Sequence, residues 1–256
     1  MDVNVILTPA EIDILLKKSA MLDETGSVVS VVFDVLRATS AIVVALSNGA
    51  KKVIPAETIE EAIALKNRYR QALLAGERNG LKIPASMAGG IEFDFGNSPR
   101  EFTREKVENK IIITTTTNGT RAIKAAMQNS STCLTSSFLN LTATAQFIKR
   151  QNPSRLIMFC SGTREEPALE DILAAGCLIE KVNDCGAVFS DSAIIARDFY
   201  LFHKNNLSGI IMYSANARRL RNIPELAADV DFCLQIDLFN IAVIAKEGEL
   251  FINSGE

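Results

Sequence analysis

The apolar positions of this chain keep changing period, from alternating or continuous over four to six residues to about 3.6 over ten or more. Val28–Phe33 is a β-branched run that predicts a buried strand, and Ala38–Ser47 predicts a helix that stops at Asn48-Gly49. Before them, Val3–Leu7 predicts a strand, and Pro9 opens a helix to Lys17 with Ile12, Leu15 and Leu16 on its apolar stripe. Lys52–Pro55 predicts a strand, Thr58–Leu74 an amphipathic helix, Ile111–Thr114 a strand, Thr120–Met127 a helix and Thr132–Leu134 a strand. A helix at Leu141–Lys149, a strand at Leu156–Phe159, and helices at Glu170–Val182 and Ser190–Phe202 follow. Gly209–Tyr213 reads as a short strand, and Phe232–Ile236 with Ile241–Ile244 as a closing hairpin or two edge strands. Only Gly76–Phe102 breaks the alternation; it is rich in Gly, Asn, Pro and charge, and loops of that length usually carry function or move.

Strands separated by helix-length segments predict βαβ units and an α/β protein, layered α/β/α around a largely parallel or mixed sheet. No repeat or linker divides the chain, so residues 1–256 are expected to form one unit. If there are two α/β lobes instead, the seam falls at Gln128–Ser137 or Asn152-Pro153.

Composition narrows the chemistry. With 27 Lys and Arg against 30 Asp and Glu, the net charge of −3 supplies no global field for nucleic acid. An anion must then be held by local arginines and backbone N–H groups. No apolar run reaches membrane-spanning length, and Met1-Asp2-Val3-Asn4 lacks the basic start of a signal peptide, so no membrane partner and a cytoplasmic protein are expected. The five cysteines form no Cys-x-x-Cys pair and read as reduced. The single histidine, His203, excludes a multi-histidine metal cage, so any metal would take oxygen ligands, which selects a hard cation such as Mg²⁺.

Two strand-to-helix junctions carry the candidate chemistry. In the first, Asp34 follows Val31-Val32-Phe33, where α/β sheets present residues to a ligand. An Asp there caps the next helix about as often as it serves a site; Arg37 and the hydroxyls of Thr39 and Ser40 tilt the reading toward an anion site. In the second, Ile111-Ile112-Ile113 ends in four threonines before Asn118-Gly119-Thr120-Arg121. Asn-Gly is also a hairpin signal, but the helical pattern of Ala122–Met127 places it at a helix N-terminus, where N–H groups and the macrodipole favour anions. Gly76-Glu77-Arg78-Asn79-Gly80 and Asn97-Ser98-Pro99 could be plain turns, and Glu170-Asp171 could simply suit the helix dipole. Cys160-Ser161-Gly162-Thr163-Arg164 is not a cysteine-phosphatase loop, because Glu166 stands where the arginine is needed. Leu36 likewise rules out a haloacid-dehalogenase motif at Asp34, and no phosphate-binding Gly-Lys-Thr loop occurs.

Asp34-Val-Leu-Arg-Ala-Thr-Ser40, Gly76-Glu-Arg-Asn-Gly80, Asp94-Phe-Gly-Asn-Ser-Pro99, Thr115–Ala122 and Glu170-Asp-Ile-Leu-Ala-Ala-Gly176 together resemble the 2-phosphosulfolactate phosphatase (ComB) family. The resemblance covers roughly residues 28 to 180 and implies a family-specific α/β fold. It also implies a Mg²⁺-dependent phosphatase acting on 2-phospho-3-sulfolactate, a step toward coenzyme M. The match is weaker beyond residue 180, where Ser214-Ala-Asn-Ala-Arg-Arg-Leu220 keeps only part of the family pattern. On this reading Asp34 holds Mg²⁺ with Asp171, and Glu77 and Glu170 are further candidates. Arg37, Arg78 and Arg121 clamp the phosphoryl oxygens, with Thr39 at the first junction. Thr116, Thr117, Asn118, Gly119 and Thr120 bind through the helix N-terminus, and Asn97 and Ser98 take the remaining acidic groups. The rivals are a phosphatase for another small 2-phosphorylated acid, such as phospholactate or phosphoglycolate, and a non-catalytic anion-binding protein. A homodimer is the base-rate expectation.

Overall fold

The structure is a computed structural model that describes residues 1–12, 14, 26–183 and 186–253. Its strands are β1 (Asp2–Ile6), β2 (Val28–Phe33), β3 (Lys52–Pro55), β4 (Leu73–Arg78), β5 (Leu81–Lys82), β6 (Ile111–Thr115), β7 (Thr132–Ser136), β8 (Arg155–Cys160), β9 (Val188–Phe189), β10 (Val243–Lys246) and β11 (Glu249–Ile252). Its helices are α1 (Ala38–Ser47), α2 (Ile59–Arg68), α3 (Arg104–Val107), α4 (Gly119–Gln128), α5 (Leu141–Gln151), α6 (Leu169–Val182), α7 (Asp191–His203), α8 (Leu207–Ile211), α9 (Ala215–Arg221) and α10 (Ala227–Cys233). Pro9 does open a helical turn, whereas the expected positions Leu15, Leu16 and Lys17 lie outside the described residues.

The strands form one mixed sheet in the order β5-β4-β6-β3-β11-β10-β7-β2-β8-β1-β9. Strand periodicity builds its two apolar faces. Along β2, Val29, Val31 and Phe33 join one core cluster while Val28 and Val32 join the other. Along β8, Leu156 and Met158 face one way and Ile157 and Phe159 the other. Leu173, Ala174 and Leu178 of α6 cover the first face, and Ile42 of α1 with Ile123 of α4 cover the second. Burying a side chain such as Phe33 contributes about 2 to 3 kcal/mol.

Two parallel groups, β4-β6-β3 and β7-β2-β8-β1-β9, are joined by the antiparallel pair β10–β11. Three antiparallel pairings in succession make the two groups run in opposite senses. A flat sheet would put the carboxyl ends of β2 and β6 at opposite edges. A strand-to-strand twist of about 20–25° over the five steps between them turns their relative direction by roughly 100° or more, which brings those ends round toward each other. Residues 128–153, which would hold the seam if the chain formed two lobes, include β7, which pairs with both β2 and β10 inside this sheet.

Four elements differ from the sequence expectation. The helix expected to reach Leu74 stops at Arg68, because the run Leu73-Leu74-Ala75 pairs with Ile112-Ile113-Thr114 of β6. Gly209–Tyr213 is not a strand; α8 covers most of it, capped by the Asn206 side chain. Phe232 belongs to α10, whose Val230 and Cys233, with the flanking Leu226 and Leu234, pack on the core at helical spacing. The closing hairpin is β10–β11, turning at Glu247-Gly248, both with positive φ (52° and 81°). No helix among the described residues is long and apolar enough to cross a membrane.

Candidate active site

An open cleft lies at the carboxyl ends of β2, β4, β6 and β8. Asp34, Leu36 and Arg37 come from the β2–α1 junction, and Thr117 and Asn118 from the β6–α4 junction. The β4–β5 turn adds Glu77, Asn79 and Gly80, and Asn97 follows from the long loop. Gly162, Thr163 and Arg164 come from the loop after β8, and Asn216 and Arg219 from α9.

The two oxygens of Asp34 have different surroundings. Oδ1 accepts from the Ala38 N–H at 3.1 Å and so caps α1, while the Thr39 hydroxyl oxygen accepts from the Asp34 N–H at 3.1 Å. Oδ2 accepts no hydrogen bond among the described residues. It packs against Gly119, where an added Cβ would sit 2.7 Å from Oδ2 and 2.7 Å from the Ala38 Cβ. Glycine at 119 is therefore what lets the start of α4 close on the start of α1. Thr116 and Thr120, both buried, bond each other across the first turn of α4, the Thr116 Oγ1 accepting from the Thr120 N–H and the Thr120 Oγ1 donating to the Thr116 carbonyl. They shape the junction without lining the cleft.

Glu77 locks two loops together. Its Oε1 accepts from the N–H and hydroxyl of Thr117 (2.8 and 2.9 Å), and its Oε2 from the Gly80 N–H at 2.7 Å. The Thr117 N–H, expected to face substrate, is thus engaged. Asn79-Gly80 forms a two-residue hairpin turn with φ of 55° and 84°, so Gly76–Gly80 is indeed a turn as well as a wall of the cleft. Gly76 lies so close to β6 that a Cβ would meet the Thr115 carbonyl at 2.5 Å.

Arg37 is buried and held at two points: Nη1 donates to Asp229 Oδ2 at 2.7 Å and Nη2 to the Gly80 carbonyl at 2.6 Å. Asp229, fully buried on α10, also accepts from the Ser98 hydroxyl and from Arg100 Nε, each at 2.7 Å. Ser98 therefore belongs to this latch rather than to the cleft. Arg78 turns toward β6, donating to the Thr115 hydroxyl at 3.1 Å, and Arg121 lies outside the lining residues, paired with Glu165 at 3.1 Å. Of the three expected arginines only Arg37 lines the cleft; Arg164 and Arg219 are the other two there.

Two of the expected metal acids are engaged elsewhere. Asp171 accepts from the Val35 N–H (2.8 Å) and the Gly162 N–H (3.1 Å), tying the loops after β2 and β8 together. Glu170 accepts from the Ser214 hydroxyl (2.6 Å) and the Asn216 amide (2.7 Å), anchoring α9. The neighbouring acids act on Asp34 and Asp171. Burial pushes the Asp34 carboxyl up to about 7; Glu77 and Glu170 push the same way, and the Ala38 N–H and Arg37 pull it back. Burial, then Glu170 and Asp34, push Asp171 well above the usual carboxylate range against the pull of its two N–H donors. Among the described residues no three acids, cysteines or histidines form a metal cage. Asp34 and Glu77 are the two acids that line the cleft; both Glu77 oxygens already accept hydrogen bonds, and the unbonded Asp34 Oδ2 is the hard oxygen that suits a Mg²⁺ shared with waters and a substrate phosphate.

The described cysteines are buried and unpaired, and burial pushes the Cys133 and Cys233 thiols up to about 12, far from nucleophilic. Three contributors escaped the sequence reading. Arg164 stood in a loop considered only as a failed cysteine-phosphatase motif, and Asn216 and Arg219 in a segment noted for its departure from a pattern. Asp229 did leave a signal, an acid in the apolar phase of Leu226, Val230 and Cys233.

A model of the 2-phosphosulpholactate phosphatase family matches residues 14–248. Similar proteins include one from Caldanaerobacter subterraneus subsp. tengcongensis, 42% identical over 85% of this chain and 88% of its own length, and one from Thermotoga petrophila, 42% identical over 82% and 86%. Another, from Clostridium acetobutylicum, is 34% identical over 94% of this chain and 99% of its own length. Each carries the name "probable 2-phosphosulfolactate phosphatase". On the extent of the family match, together with an α/β sheet whose strand ends enclose a cleft of acids and arginines, the chain belongs to the 2-phosphosulpholactate phosphatase family.

Proposed function

We propose that the chain hydrolyses the phosphate monoester of 2-phospho-3-sulfolactate to 3-sulfolactate and inorganic phosphate, a step of the kind that leads toward coenzyme M. The observation that carries this reading is the meeting of an open Asp34 oxygen with Arg37, Arg164 and Arg219 in one cleft of a member of this family. Arg37 has two of its donors engaged by Asp229 and Gly80 and keeps three for phosphoryl oxygens, in an orientation fixed before substrate arrives. The start of α4 at Asn118 adds the positive end of a helix dipole. Asp34 is held by the Ala38 N–H with its second oxygen toward the substrate, and the hinge-free contact at Gly119 keeps it there.

In the reaction a water oxygen bonds to phosphorus, the bond from phosphorus to the C2 oxygen breaks, and that oxygen leaves with a proton. Mg²⁺, held at the open oxygen of Asp34, would supply charge neutralisation on the phosphoryl oxygens. The residues of the chain supply position and positive charge, which is most of what phosphoryl transfer requires.

Phosphate release from 2-phosphosulfolactate, 2-phospholactate and phosphoglycolate, measured with and without Mg²⁺, tests the reading. Selective, Mg²⁺-dependent release from the sulfonate is expected. Comparable release from all three would make it a phosphatase for a wider set of 2-phosphorylated acids, and binding without release would make it an anion-binding protein.

A further inference from the structure

Arg164 occupies the second position of the tight turn Thr163–Glu166, closed by the Thr163 N–H on the Glu166 carbonyl (2.9 Å) and the Glu166 N–H on the Thr163 carbonyl (3.1 Å). Its φ is +58°, a region that glycine enters freely and a side chain enters at a cost. An arginine there extends an exposed side chain along the cleft. Among the described residues it has no hydrogen-bond or ion-pair partner, since the neighbouring Glu165 pairs with Arg121.

Arg219 reaches the same cleft from α9. Its Nη2 donates to Asn216 Oδ1 at 3.0 Å, and its Nε lies 3.6 Å from where a Cβ on Gly80 would be. It too lacks an acidic partner among the described residues. One buried amide organises both: Asn216 Oδ1 orients Arg219, while Asn216 Nδ2 donates to the Thr163 hydroxyl and to Glu170. Arg37 is neutralised by Asp229, so Arg164 and Arg219 are the uncompensated cations of the cleft.

We propose that Arg164 and Arg219 form the receptor for the sulfonate of the substrate and set the choice among 2-phosphorylated acids; the identity of that group rests on the phosphatase reading above. A sulfonate stays ionised at all working pH and offers three equivalent oxygens. Two guanidinium forks from different elements can share them, each by charge-assisted hydrogen bonds. The sulfonate takes no part in the bond that breaks, so its binding improves selection and leaves the bond-breaking geometry to Asp34 and Arg37.

Calorimetric titration of the full chain with 3-sulfolactate and with lactate, at one ionic strength, tests the receptor without requiring turnover. The wild type should prefer 3-sulfolactate. Arg164→Gln and Arg219→Gln should each reduce that preference about tenfold or more, and the double variant should bring it near unity. Arg104→Gln, an exposed change on α3, should leave it intact. Circular dichroism checks that the variants, altered at exposed positions, remain folded. A wild type that binds the two acids alike, or variants with undiminished preference, would overturn the receptor. Wild-type hydrolysis of 2-phosphosulfolactate, followed in parallel, reports on the other reading. Preference without hydrolysis keeps the receptor and removes the phosphatase, while hydrolysis with unchanged variants does the reverse.

Discussion

The two strand-end junctions and the C-terminal helices build the same cleft by different means. At the junctions the contacts that seat Asp34 and open α4 are local, Asp34 bonding Ala38 and Thr39 and Thr116 bonding Thr120, while Val35 and Thr117 reach Asp171 and Glu77 on other loops. The local contacts order few residues and form as soon as strand and helix are in place. The C-terminal helices act over long chain distances, with Asp229 meeting Arg37 across 192 residues and Asn216 meeting Glu170 across 46. The first half of the site is positioned by backbone geometry, and the second by buried side chains that need the whole fold.

The sharpest way to break this contrast is Asp229→Ala, which leaves Arg37 buried without its counter-charge. It should cost about 3–5 kcal/mol of unfolding free energy in a urea titration; a loss below about 1 kcal/mol would mean that α10 does not hold Arg37. Asp34→Asn belongs to the other half. It should lower kcat by about a hundredfold or more, with a smaller change in stability. Activity and Mg²⁺ affinity near wild type would remove Asp34 from the chemistry. Gly119→Ala probes the contact between the two junctions, and overpacking there should cost about 1–3 kcal/mol and lower activity along with it. Equal activity would show that the helix starts tolerate separation.

The smallest effect lies away from the cleft. Asp237, just after α10, accepts from the Thr142 N–H and hydroxyl, each at 2.6 Å, and from Lys181 at 3.0 Å. Burial pushes its carboxyl up, but the Thr142 hydrogen bonds and Lys181 together outweigh this and hold it below the usual range. A depressed carboxyl stabilises the fold above its unfolded pKa, about 3.9, and loses that contribution as pH falls through the lower folded value. Asp237→Asn should therefore cost about 1 kcal/mol near neutrality, with the deficit shrinking in acid. Urea titrations at two pH values measure it, and a deficit that grows in acid contradicts the assignment.

The local half was legible in the sequence because its signals are local. The β-branched run to Phe33, the Asp after it and the Asn-Gly before an apolar helix pattern each report on their immediate neighbours. Arg78 and Arg121 misled for the same reason. Lying beside the right motifs does not say which way a long side chain turns, and here they turn to Thr115 and Glu165. Asp171 and Glu170 sat at a helix start in sequence, but long-range partners claimed their oxygens: Val35 and Gly162 for one, Ser214 and Asn216 for the other. The short apolar runs at Gly209–Tyr213 and Phe232–Ile236 have no period of their own, and each begins as the end of a helix packed on the core and runs on as a turn.

The pair β10–β11 has a consequence for how the protein is made. It follows every other described strand along the sequence, yet it sits in the middle of the sheet, between β3 and β7. Until it arrives, each parallel half of the nascent chain carries an unpaired strand edge that invites wrong pairing. Nor can the carboxyl ends of β2 and β6 be brought to one cleft before that strand pair joins the halves. The cleft is thus completed only once Val243–Ile252 is in place, and a chain stopped short of Val243 would hold both junctions without the means to bring them together.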